Sequence, residues 1–160
     1  MYDENIRMEQ HQVEILLVED NPHEAELAIL SLKKHRLANK LLHIDDGAEA
    51  LDFIFSKGAY KENKNIPYPK LILLDLKLPK VDGLEILRQV KSDERTRAIP
   101  VVILTSSREE KDIIESYKLG VNSYIVKPVS FDAFAKAISE LGFYWLLLNQ
   151  EPSLLNKEKI

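Results

Sequence analysis

Five side chains able to take part in phosphoryl chemistry stand at the ends of aliphatic runs. Glu19 and Asp20 follow the run 13–18, Asp75 follows 71–74, Thr105 closes 101–105 and Lys127 follows 124–126. Carboxylates brought this close repel one another unless a cation sits between them. The donors are all oxygens. His11, His23, His35 and His43 show no metal-ligand spacing and the chain has no cysteine, so Mg²⁺ is the expected cation. It takes only one or two protein carboxylates and keeps room for waters and a phosphate oxygen. With a carboxylate as nucleophile, a transferred phosphoryl group spreads its charge over three equatorial oxygens. Mg²⁺, the Thr105 hydroxyl and the Lys127 ammonium could each meet one of them.

The elements must bring these residues to one place. Near-continuous runs of branched aliphatics are typical of strands buried on both faces of a parallel sheet. Ligands of such open sheets bind beyond the carboxyl ends of the strands, where all five residues would converge. Strands at 13–18, 41–44, 71–75, 101–105 and 123–126 alternate with helices predicted over 22–35, 47–56, 83–91, 109–119 and 130–148. That alternation predicts an α/β fold, a doubly wound five-stranded parallel sheet with helices on both faces. Asn21 ahead of Pro22, Ser107 ahead of Glu109 and Glu110, and Ser130 are the expected caps. The stretch 57–69, with Gly58, Pro67 and Pro69, is expected to be a structureless surface connection.

At 160 residues, with 45% apolar and 30% charged positions, the composition fits one globular domain. Residues 1–12 are expected to be a flexible arm, 13–148 the domain and 149–160 a polar tail, with no output domain. A net charge of −4 without a basic stripe argues against nucleic acid as a partner. No signal peptide or bilayer-length apolar run is visible, so a cytoplasmic protein with no membrane partner is expected.

Each residue also has a plain structural reading. An Asp after a strand is usually a turn residue, Glu-Asp-Asn-Pro a capped helix start, and Lys-Pro a loop. Their joint occurrence at the ends of different aliphatic runs favours a single site. The motifs are Leu17-Val18-Glu19-Asp20-Asn21-Pro22, Leu73-Leu74-Asp75-Leu76-Lys77-Leu78-Pro79 with Asp82-Gly83, Ile103-Leu104-Thr105-Ser106, and Gly120-Val121-Asn122-Ser123-Tyr124-Ile125-Val126-Lys127-Pro128.

With these motifs the chain resembles the response-regulator receiver domains of two-component signalling. The resemblance implies a flavodoxin-like receiver fold with strand order 2-1-3-4-5. It implies that Asp75 accepts a phosphoryl group from a phosphohistidine on a sensor histidine kinase. Glu19, Asp20, Asp75 and the backbone carbonyl of Lys77 would hold Mg²⁺, Glu19 through water. Thr105, Tyr124 and Lys127 would form the switch, and a cis peptide would precede Pro128. Such a protein catalyses only its own phosphorylation and dephosphorylation. Glu at position 19, the long loop before Leu71, the turn Leu78-Pro79-Lys80-Val81-Asp82-Gly83 and the aromatic run Phe143-Tyr144-Trp145 resemble the stand-alone regulators paired with cyanobacterial and bacterial phytochromes. Lys77 places a long cation where hydrolytic water would approach.

A haloacid-dehalogenase-type phosphatase would need a second Asp two residues past its nucleophile, where this chain has Lys77. A phosphorylation-independent pseudo-receiver would usually have lost the acceptor, an acidic residue or the Lys, and none is lost. In the predicted last helix, Phe134, Ile138, Leu141, Trp145 and Leu148 suffice to cover the sheet, yet Phe143, Tyr144, Leu146 and Leu147 add apolar surface. A homodimer through that surface is therefore expected, unless the tail folds back over it.

Overall fold

The computed structural model describes residues 13–34, 40–63 and 67–127, with 133 and 136. The arm 1–12, Pro128 and its peptide bond, the cap at Ser130, the tail 149–160 and the dimer-face residues Phe143, Tyr144, Leu146 and Leu147 lie outside the described residues. So does the predicted last helix, apart from helical Ala133 and Lys136.

Strand β1 (Ile15–Val18) leads through helix α1 (Pro22–Lys34) to β2 (Leu41–Ile44), and α2 (Gly47–Ile54) leads to β3 (Leu71–Leu74). Then follow α3 (Gly83–Ser92), β4 (Val101–Thr105), α4 (Glu110–Lys118) and β5 (Ser123–Val126). All neighbouring strands pair in parallel, in the order β2-β1-β3-β4-β5. This is the predicted architecture, and alternate side chains explain why the strands read as unbroken apolar runs. Leu16, Val18, Ile72, Leu74, Val101 and Ile103 face α2 and α3 through Ala50, Ile54, Ile86, Leu87 and Val90. Ile15, Leu17, Leu71, Leu73, Val102 and Leu104 face α1 through Ala25, Ala28 and Leu32. Each fully buried Leu or Ile stabilises the fold by about 1.5–3 kcal/mol before conformational entropy is counted, so these two clusters hold the central strands.

Side-chain caps set the helix starts nearest the site. The Asn21 carboxamide oxygen accepts from the amides of His23 and Glu24 at 3.0 and 3.1 Å, as expected for a cap before Pro22. Asp46 and Asp82 cap α2 and α3 by accepting from Glu49 N at 2.7 Å and Glu85 N at 2.9 Å. The start of α4 departs from expectation. Its N-cap is Glu109, which makes no side-chain cap hydrogen bond. Because the helix begins later than predicted, Ser107 sits two residues ahead of the cap. Its hydroxyl accepts from Glu109 N at 3.4 Å and donates to Asp112 Oδ2 at 2.6 Å.

The connection before β3 is also not structureless. A 3-10 helix spans Gly58–Asn63. Tyr60 anchors it to α2, packing edge-on against Phe53 at 5.2 Å and donating to Glu49 Oε1 at 2.8 Å. No helix among the described residues is long and apolar enough to cross a membrane.

Candidate functional site

Register brings the site together. Val18 pairs with Leu74, so Glu19 and Asp75 leave adjacent strands side by side. Thr105 pairs with Val126, and Lys127 N donates to Thr105 O at 2.7 Å. The exit of β1 is fixed on both sides. Glu19 N donates to Ile44 O at 3.1 Å, and His43 Nε2 donates to Glu19 O at 2.7 Å, which requires the Nε2-protonated tautomer because a carbonyl only accepts. Behind the acceptor, Gly83 lies so close that a Cβ there would sit 2.1 Å from Asp75 O and 2.6 Å from Leu76 Cα.

Lys127 is the buried centre, 7% exposed. Its Nζ donates to Glu19 Oε1 at 2.5 Å and to Glu24 Oε2, and lies 3.6 Å from Asp75 Oδ2. The amide of Lys77 points at Asp75 Oδ1 across 3.4 Å. Thr105 is fully buried, and its Oγ1 accepts a long 3.4 Å contact from Ser107 N. Tyr124 donates its hydroxyl to Ser107 O at 3.1 Å, bridging β5 to the loop that follows Thr105.

The charges settle unequally. Burial raises the pKa of Glu19 well above the ordinary carboxylate range, and the neighbouring carboxylates of Asp75 and Glu24 add to the rise, so Glu19 keeps a proton. Burial also works to raise Asp75. It is outweighed by the Glu19 carboxyl beside it, attraction to Lys127, the Thr105 hydroxyl and the Lys77 amide, and Asp75 ends below its ordinary value. For Lys127, burial favours the neutral amine, but bonds to Glu19 and Glu24 and the charge of Asp75 prevail and hold the ammonium.

Glu19, Asp75, Thr105 and Lys127 therefore meet as the sequence suggested. Asp20 does not join their carboxylate cluster. It is exposed and lines an open groove of about 610 Å³ with Lys77, Pro79, Asp82 and Asp112. The third carboxylate of the cluster is Glu24, which sequence reasoning missed. A Glu three residues after an Asn cap reads as an ordinary first-turn acid, favourable at a helix N-terminus. The available signal was direction, since helical Cβ atoms tilt toward the N-terminus, which here is the sheet edge bearing the site.

The donor set fits a hard divalent cation. Carboxylate oxygens of Glu19, Glu24 and Asp75 lie within 4.8 Å of one another, and Glu19 Oε2 is buried without a hydrogen-bond partner. A cation would also replace the proton that Glu19 otherwise retains.

Comparison with known proteins settles the family, since the response regulator receiver domain matches residues 15–139. The chain belongs to that family. It is 41% identical to a probable methanogenesis regulatory protein, FilR2, of Methanothrix harundinacea over 86% of both chains. It is 40% identical to response regulator Rcp1 of Synechocystis over 82% of this chain and 88% of Rcp1, a protein also solved in a Mn²⁺-bound form (TM-score 0.76). Two further solved structures are similar. The phosphorylated cyanobacterial phytochrome response regulator RcpA superposes with a TM-score of 0.77 at 37% identity, covering 89% of this chain and 99% of RcpA. The bacteriophytochrome response regulator AtBRR superposes with a TM-score of 0.70 at 53% identity, covering 87% of this chain and 99% of AtBRR.

Proposed function

We propose that this receiver takes a phosphoryl group from a phosphohistidine of a sensor histidine kinase onto Asp75. The observation that carries the assignment is the setting of that carboxylate. Asp75 is 8% exposed and held below its ordinary pKa, with the Lys127 ammonium 3.6 Å away and the Lys77 amide aimed at Oδ1. An Asp75 oxygen forms the new bond to phosphorus as the bond from phosphorus to the imidazole nitrogen breaks, and the electron pair leaves on the imidazole. Lys127 and the Thr105 hydroxyl meet two of the phosphoryl oxygens. Mg²⁺, when bound, neutralises charge on the third. Glu19, Asp20, Asp75 and the Lys77 carbonyl are the proposed ligands, with Glu19 acting through water. Hydrolysis of the acyl phosphate returns Asp75 to its carboxylate, and the protein turns over no separate substrate.

The likeness to RcpA and AtBRR supports a phytochrome as the kinase. A cytoplasmic homodimer that signals through the Tyr124 face, without nucleic acid, completes the proposal. Incubation with a phosphorylated bacteriophytochrome kinase tests it. Labelled phosphate should move to the wild-type chain and not to Asp75→Asn, and undiminished acid-stable label in that variant would refute the assignment.

A further inference from the structure

Glu24 stands in the carboxylate cluster but is not among the proposed metal ligands, and it shares the ammonium on which the chemistry depends. We propose that Glu24 is a positioning residue that competes with the phosphoryl group for Lys127 and releases it when Asp75 is modified. The inference rests on Asp75 being the acceptor.

Lys127 has three N–H donors. Nζ bonds Glu19 Oε1 and Glu24 Oε2, and its 3.6 Å separation from Asp75 Oδ2 is beyond a good hydrogen bond. The ammonium is thus held toward the two glutamates. A phosphoryl group on Asp75 can take the third donor, but drawing the ammonium toward it stretches the bonds to both glutamates, and the one that is more easily released yields.

Burial decides which one. The Glu19 side chain is 5% exposed and already carries an oxygen without a partner, so losing Lys127 would strand it further. The Glu24 side chain is 37% exposed, and water can take over the vacated oxygen. Its backbone stays in place either way, because Glu24 N remains bonded to Asn21 Oδ1 at 3.1 Å. The first turn of α1 also favours a negative side chain there with or without the lysine. Glu24 is therefore the exchangeable partner, and its charge weakens the phosphorylated state.

Beryllofluoride, a stable mimic of the phosphoryl group, tests this in the full chain with Mg²⁺ present, with bound ¹⁹F signal as the readout. Glu24→Gln keeps the length and an acceptor oxygen but removes the charge. It should tighten beryllofluoride binding by about two- to fivefold, the range of a partly exposed ion pair, and speed labelling by acetyl phosphate in the same direction. In a Lys127→Gln background the same change should have no effect. Unchanged or weaker binding in Glu24→Gln, or an equal gain in the Lys127→Gln background, would overturn the proposal. A wild-type chain that neither binds beryllofluoride nor accepts phosphate would instead remove the acceptor assignment beneath it.

Discussion

The hydroxyl of Tyr124 donates to the carbonyl oxygen of Ser107 at 3.1 Å, so the last described strand is tied to the loop two residues beyond Thr105. Any displacement of Thr105 toward a group on Asp75 pulls on the backbone that Tyr124 holds. The pair thus couples β5 to the backbone that carries Thr105. Tyr124→Phe should lower stability by about 0.5–1.5 kcal/mol, the net worth of one hydrogen bond. Denaturant unfolding measures this. Labelling of Asp75 by acetyl phosphate should continue at a similar rate, because the phenol touches none of the reacting atoms.

Metal binding should release a proton. In the metal-free protein burial pushes Glu19 up to about 9 from an ordinary 4.5. The folded-state pKa is raised, so this group's contribution is fully present below about 4.5 and fades as pH rises toward about 9. The shifts of Asp75 and Glu24 lie downward from carboxylate values and that of Lys127 upward from 10.5, outside this window. Mg²⁺ affinity should therefore rise between pH 6 and pH 8, by at most about tenfold per unit. Calorimetric titrations in buffers of different ionisation enthalpy should report the released proton. An affinity flat with pH would contradict it.

Gly83→Ala should damage both fold and site. The added methyl would have to displace the Asp75 carbonyl, which it meets at 2.1 Å. A loss of about 1–3 kcal/mol is the usual effect of forcing an extra carbon into a packed contact. Thermal unfolding should show it, together with slower phosphorylation because the acceptor backbone moves.

Dimerisation is tested by sedimentation at micromolar concentration. The wild-type chain should sediment as a dimer and Phe143→Asp as a monomer. A wild-type chain that stays monomeric, with Phe143→Asp unchanged in mass and solubility, removes the dimer.

The strands and the convergence of Asp75, Thr105 and Lys127 were legible because the sheet is buried on both faces, which leaves a strong aliphatic signal and a sharp polar boundary at each strand end. Glu24 was hidden because a first-turn acid needs no function to explain it. Ser107 was placed correctly beside α4 but in the wrong role, since moving the cap position two residues on, to Glu109, turns a cap into a brace. The 3-10 helix escaped notice because a single ring, Tyr60, holds it within an otherwise polar stretch. Asp20 shows that adjacency to Glu19 does not fix direction, because neighbouring residues leaving a strand point to different sides.

Two helix starts grip the loop that follows Asp75. Gly83 presses on the acceptor backbone, while Gly47 donates to Pro79 O at 3.2 Å and lies where a Cβ would come within 1.8 Å of Val81 O. Beside α3, which it contacts, α4 buries only Ser116, and its start is braced through the hydroxyl of Ser107. One flank of the acceptor is clamped by main chain against main chain, the other by hydroxyl groups that can exchange partners. The molecule is in this sense a vice with one fixed jaw. When Asp75 is phosphorylated, amide hydrogens of α4 and of the loop after Thr105 should therefore exchange sooner than those of α3.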